Sequence, residues 1–177
     1  MTDVCISMKN IMRLDLISLA VSLQNHLDKD MGFSISSPHS KSVYLSLVED
    51  EMHAPFRALT PEHIVISTTE AKSICDYTGL DFLGYLKLCL ALVLVQRKAL
   101  CLNPQIKSED LFHPPNEHCL YNRNLGINNF ALHIEKMVLC NGCKDFYHCL
   151  GCDKELAHLQ KKIDHWKKNT DHEQRTP

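Results

Sequence analysis

The stretch Phe82-Leu-Gly-Tyr-Leu-Lys-Leu-Cys-Leu-Ala-Leu-Val-Leu-Val-Gln-Arg-Lys-Ala-Leu100 decides the fold. Apart from Tyr85 and Lys87 it is apolar on nearly every face, and a helix of that kind is stable only when other elements enclose it. Asp81 stands before it as a cap, and Gln96-Arg97-Lys98 bring basic charge to its C-terminal end, where the helix dipole favours it. Its unbroken apolar run, Leu88 to Val95, is far shorter than the roughly 20 residues that a bilayer crossing needs. The segment therefore reads as the central helix of a core and not as a membrane span.

Upstream, Ser67-Thr-Thr-Glu70 matches a capping box and starts a helix that runs to about Tyr77 and stops at Gly79. Before it, His63-Ile-Val-Ile66 is a short β-branched run suited to a buried strand, and Pro55 and Pro61 punctuate a loop. Phe33 and Ile35, then Val43, Leu45 and Leu47, alternate with polar residues and predict two strands in a hairpin around Pro38. Apolar residues from Ile11 to Leu27 recur at helical spacing. Downstream, Asn103 to Asn124 is loop-like, Ile127 to Leu139 is a short amphipathic helix, and Asp153 caps a last helix through about Lys168, with Asp171 to Pro177 fraying. The order predicts an α+β fold: a single compact domain over residues 1–177, a small mixed sheet packed on a buried central helix, and a Cys-rich zinc module near the C-terminus. Within it, residues 1–100 form the helix and strand core, 101–152 the Cys-rich segment and 153–170 the C-terminal helix.

The chain has 177 residues, with 19 Lys and Arg against 21 Asp and Glu, which leaves no strong field of either sign and argues against a general nucleic-acid coat. A chain of this length buries roughly 70 % of its unfolded surface, so metal is not needed merely to hold a core together. Nine cysteines is an odd number, which a closed disulfide framework would not use up, and Met1 to Asn10 lacks the features of a secretory signal. A reduced, cytoplasmic setting is the expectation. Cys5, Cys75 and Cys89 lie among apolar neighbours, where a free thiol acts as a small buried hydrophobe.

The other six, Cys101, Cys119, Cys140, Cys143, Cys149 and Cys152, are the candidate metal ligands, and four of them form two Cys-x2-Cys pairs. Soft thiolates on tight turns suit tetrahedral zinc. Joining Cys140 and Cys143 to Cys149 and Cys152 leaves only Lys144 to His148 between the pairs, short for a zinc ribbon. A second set takes Cys101, Cys119, Cys140 and Cys143, and His118 and His148 allow three-cysteine, one-histidine variants. Both sets stay open on spacing alone.

A buried helix, then Cys101, His118-Cys-Leu-Tyr-Asn122 and Leu139-Cys-Asn-Gly-Cys143 resemble the C-terminal half of the archaemetzincins over roughly residues 63–156. The resemblance implies a zincin-like fold in which Cys101, Cys119, Cys140 and Cys143 hold a structural zinc. It also implies that Leu88 to Leu100 takes the place of the family's catalytic helix. That helix carries HExxHxxGxxH in the family. Here it reads Leu88-Cys-Leu-Ala-Leu-Val-Leu-Val95, and no His-Glu-x-x-His occurs anywhere in the chain. Aliphatic side chains supply neither metal ligands nor a general base. No catalytic residue is therefore assigned. The first gap is longer than in the family, and Cys149 and Cys152 have no counterpart there.

Remaining signals are weaker. His113-Pro-Pro-Asn-Glu-His118 has too many residues and prolines for an inverted zinc-peptidase helix. Glu51, His53, Glu62 and His63 offer acid and base groups of the kind any chain with 11 histidines places near carboxylates. On the last helix, Leu156, Leu159, Ile163 and Trp166 form an apolar stripe that must cover something, and its lysines are interleaved with acids. The functional expectation is a zinc-stabilised, non-catalytic protein-interaction domain. Its rivals are a metal-dependent hydrolase using His53, His63, His113 or His118, and a zinc-knuckle nucleic-acid binder using Lys161 and Lys162.

Overall fold

The computed structural model describes residues 5–8, 23, 44–48, 54–78, 81–112, 119–121 and 139–173. Its strands are β1 (Cys5–Met8), β2 (Tyr44–Val48), β3 (Phe56–Thr60) and β4 (His63–Ser67). The helices are α1 (Thr68–Thr78), α2 (Phe82–Leu102), α3 (Asn141–Cys149) and α4 (Asp153–Glu173), with a 3-10 turn at Ser108–Leu111. The architecture is α+β.

The four strands form one mixed sheet in the order β1-β2-β4-β3, with β1, β2 and β4 parallel and β3 antiparallel to β4. Register follows the apolar pattern. Leu45 pairs with Ile64 and Leu47 with Ile66, while Phe56 and Ala58 pair with Ile66 and Ile64, so one face carries a continuous apolar layer, all of it fully buried. The α2 helix packs on β3 and β4, and α1 and α4 close around it. Leu86, Cys89, Leu90, Val93, Val95 and Ala99 reach zero exposure along α2, as an all-apolar helix requires. The Leu159 and Ile163 side chains of α4 are also fully buried, and α4 packs on α2, so the apolar stripe expected there covers this chain's own core. The Trp166 side chain lies outside the described residues.

Local capping sets the helix starts. The amide of Glu70 donates to Ser67 Oγ at 3.2 Å, and the amide of Gly84 to Asp81 Oδ2 at 2.7 Å. Both cap residues are those the sequence predicts, but the Ser67 amide, which a capping box gives to Glu70, donates to the Pro55 carbonyl.

Two strands depart from the sequence reading. Residues Phe56–Thr60, read as loop, form β3, because Pro55 and Pro61 sit just outside the strand where a missing N–H costs nothing; Pro55 still accepts the Ser67 amide through its carbonyl at 2.9 Å. The N-terminal run at Cys5–Met8 forms β1. The hairpin expected between Phe33–Ile35 and Val43–Leu47 gives way to parallel pairing, since β2 has β1 on one side and β4 on the other. The Phe33–Ile35 strand itself, the helix expected over Ile11–Leu27 apart from helical, buried Leu23, and the helix at Ile127–Leu139 lie outside the described residues.

At the outer side of β3 the backbone of Ala58 is met by side chains. Its amide donates to Oε1 of fully buried Gln96 at 3.3 Å, and its carbonyl accepts from Ser108 Oγ at 2.6 Å. Arg57 reaches the same turn, donating through Nε to Ser108 Oγ at 3.0 Å and through Nη2 to Glu109 at 2.6 Å. Truncating Leu90, fully buried on α2, leaves a cavity in the core. Leu90→Ala is expected to cost about 3 kcal/mol in chemical denaturation, against less than about 1 kcal/mol for Lys72→Ala on the exposed side of α1.

Candidate metal centre

Three of the six candidate cysteines come together. The sulfurs of Cys119, Cys140 and Cys143 all lie within 4.8 Å of one another. Cys119 enters from the short turn 119–121, in which Leu120 and Tyr121 are also buried, and the other two come from the start of α3. Cys140 is the N-cap of that helix, and its Sγ accepts the Cys143 amide at 3.3 Å. The Cys140 amide donates in turn to Cys119 Sγ at 3.4 Å, and the Cys119 and Cys143 sulfurs are 3.7 Å apart.

That separation suits one ion. Sulfurs held about 2.3 Å from a tetrahedral zinc stand about 3.8 Å from each other. Amides aimed at sulfur favour thiolate, and the positive end of α3 adds to this. Without an ion the opposite influences prevail. The contact with Cys119, together with burial, drives the Cys143 thiol far above its ordinary range. Burial, above the other influences, also raises Cys140. Three sulfurs this close and this sheltered ionise together only beside a cation, and they lie close enough to hold one metal ion.

Two tyrosines fix the cluster to the core. Tyr121 and Tyr147 are fully buried with ring centroids 4.9 Å apart. The Tyr121 hydroxyl donates to the Leu92 carbonyl of α2 at 2.7 Å, and the Tyr147 hydroxyl to the Leu111 carbonyl of the 3-10 turn at 2.8 Å. Phe56 of β3 meets Tyr121 edge-on at 5.9 Å. Burial, first among the causes, holds both phenols protonated well above their ordinary range. They act as struts between the cysteine turn, the helix and the sheet.

The other three candidates lie elsewhere. Cys101 is exposed near the end of α2, and Cys149 is exposed at the last position of α3. Cys152 is fully buried, with its thiol directed at the Val95 carbonyl at 3.8 Å and pushed up to about 12 mainly by burial. The spacing of this second pair has a local cause. Cys152 N donates to Tyr147 O at 3.0 Å and Gly151 N to His148 O at 2.9 Å, with Gly151 at φ 83°. This is a Schellman end to α3. The glycine just past a helix is the sequence signal for this end, and the cysteines that flank it carry the same spacing as a metal knuckle.

Among the other sequence candidates, His63 hydrogen-bonds Ser46 across β2 and β4 at 2.7 Å, and its amide donates to Thr60 Oγ1 at 3.1 Å. His53, His113 and His118 lie outside the described residues. Cys75 and Cys89 are buried, and burial, the largest cause in each, raises both thiols, Cys75 to about 12, the setting of a structural and not an activated thiol. On the catalytic-helix segment implied by the resemblance, Leu88 to Val95 are all buried apolar residues. No described helix is long and apolar enough to cross a membrane. Comparison with protein-family models, with curated proteins and with solved structures finds no match for the chain.

Gly151 is the point where α3 turns into α4. A Cβ there would meet Leu102 Cδ1 at 3.1 Å, on a backbone that side chains rarely adopt. Gly151→Ala is expected to lower stability by about 1–2 kcal/mol in denaturant titration. The same junction carries an exposed pair, His148 Nδ1 with Asp153 Oδ1, and that hydrogen bond is the main cause raising the imidazole above its ordinary 6.5. A group raised in the folded state stabilises fully below its unfolded value and loses that contribution as pH climbs through the folded one. The melting temperature of His148→Gln should therefore fall below that of the parent near about pH 5.5 and converge with it near about pH 8.5, read by thermal melts at both.

Proposed function

We propose that this chain is a zinc-stabilised, non-catalytic protein-interaction domain of the cytoplasm, related to the archaemetzincins but without their hydrolytic ligands. The convergence of Cys119, Cys140 and Cys143 sulfurs within 4.8 Å carries the reading. These three residues hold the ion in it. The ion ties a turn, the start of α3 and, through Tyr121 and Tyr147, the helix α2 into one unit. Zinc is the metal of choice because the donors are soft thiolates and the set leaves a single tetrahedral position for one further ligand. A structural role suits donors that are sheltered and linked through amides to the backbone.

The non-catalytic part rests on α2. Every residue from Leu88 to Val95 is committed to the core, and none is an imidazole or a carboxylate. A binding role is favoured by an open groove of about 870 Å³ between the β3–β4 turn and the end of α2. Leu59, Leu100 and Ile106 give it apolar surface, and Glu62, Arg97, Lys107 and Glu109 bring charges of both signs. Such a mixture suits a protein surface better than a polyanion.

Elemental analysis of the purified chain tests the metal. About one zinc per chain is expected, with Cys143→Ser losing it and several kcal/mol of stability, since metal binding is folding free energy at such a site. Cys101→Ser and Cys152→Ser should both keep their zinc. A chain that is metal-free yet as stable as the metal-loaded form would refute the assignment.

A further inference from the structure

We infer that the cluster is a peroxide-responsive switch that releases its metal, with Cys140 as the attacked sulfur and Cys143 as its disulfide partner; this rests on the metal reading above. The three sulfurs are not equivalent. Cys119 and Cys143 are exposed by only 1 % and 7 %, whereas Cys140 is partly open to solvent. A peroxide arriving from outside meets Cys140 first. Metal-bound cysteine is already a thiolate, and this one also receives the Cys143 amide at the head of a nine-residue helix.

The chemistry balances without any further reagent. The Cys140 thiolate attacks one peroxide oxygen: an S–O bond forms, the O–O bond breaks, and hydroxide leaves, giving a sulfenic acid. The Cys143 thiolate then attacks that sulfur, an S–S bond forms, the S–O bond breaks, and a second hydroxide leaves. Two thiolates are oxidised by two electrons, and the peroxide is reduced to two hydroxides. The metal keeps its charge throughout. It loses two of its three sulfurs and is left with Cys119 alone, too few to hold it.

Position selects Cys143 over Cys119 as the partner. Cys140, the N-cap, and Cys143 stand three residues apart at the head of α3, the Cys-x2-Cys spacing at which thiols bridge within one short segment, whereas Cys119 comes from a separate turn and its sulfur accepts the Cys140 amide. The bridge also takes the Cys140 sulfur from its capping bond to the Cys143 amide, so oxidation loosens the start of α3 as it frees the ion. A thiol reductant reverses both effects.

The experiment uses the full chain loaded with zinc and titrated with hydrogen peroxide. Free zinc is followed with a chromogenic chelator, thiols are counted, and disulfides are mapped by mass spectrometry. The expected result is release of about one zinc per chain with loss of about two thiols, a Cys140–Cys143 bridge, and re-uptake of zinc after reduction by a dithiol. The double variant Cys101→Ser/Cys149→Ser, which removes the two thiols outside the cluster that are exposed among the described residues, should release zinc with the same stoichiometry. Zinc that stays bound while thiols are consumed overturns the switch and leaves the metal site standing. So does a bridge from Cys140 to Cys119, or release accompanied only by sulfinic acid. A chain with no zinc before peroxide is added overturns both.

Discussion

The rest of the structure depends on the need to enclose α2. A helix apolar all round has no face to offer water, so every neighbouring element is placed by the requirement to cover it. The sheet takes one side through the Phe56, Ala58, Ile64 and Ile66 layer, while α1 and α4 take others. The cysteine turn enters the same scheme through Tyr121, whose hydroxyl meets the carbonyl of Leu92 halfway along the helix. Cysteine cluster and core are thus one packing problem. The sulfurs sit where they do because two tyrosines, buried for their hydrophobic area, carry the turn and α3 against the helix.

How much of this was legible in the sequence follows from the range of the interaction involved. The caps at Ser67 and Asp81 were readable because the bonds span three residues. The central helix was readable because its composition excludes every other state. Strand β3 was not, since nothing between Pro55 and Pro61 alternates strongly. What makes it a strand is pairing with β4 and the closure of Ala58 by Gln96 and Ser108, distant in the chain. Parallel pairing of β2 likewise depends on β1, a run too short and mixed to declare itself.

At the cysteines the sequence supplies six candidates, and the structure brings three of them, Cys119, Cys140 and Cys143, together. Cys-x2-Cys spacing describes two quite different turns here. At Cys140 it places a cap and a first-turn residue so that both sulfurs face the same point, with backbone amides directed at sulfur. At Cys149 it spans a helix end, where the glycine between them reverses the chain and sends the two thiols apart, one to solvent and one under α2. Identical spacing at opposite ends of α3 yields a donor set at one and a terminator at the other. The distinction lies in helix direction, which a count of intervening residues does not carry.

The outer margin of the sheet holds a consequence beyond this chain's own fold. A strand at the border of a sheet ordinarily leaves backbone donors and acceptors as a template for strands of other molecules, the route to fibrils. On β3 that template is interrupted at its middle, where a buried amide side chain and a serine hydroxyl take the places a foreign strand would need. Arg57 and Glu109 add a charged pair beside them. Among the described residues the border is thereby blunted at Ala58, where a foreign strand meets backbone groups already taken by this chain's own side chains.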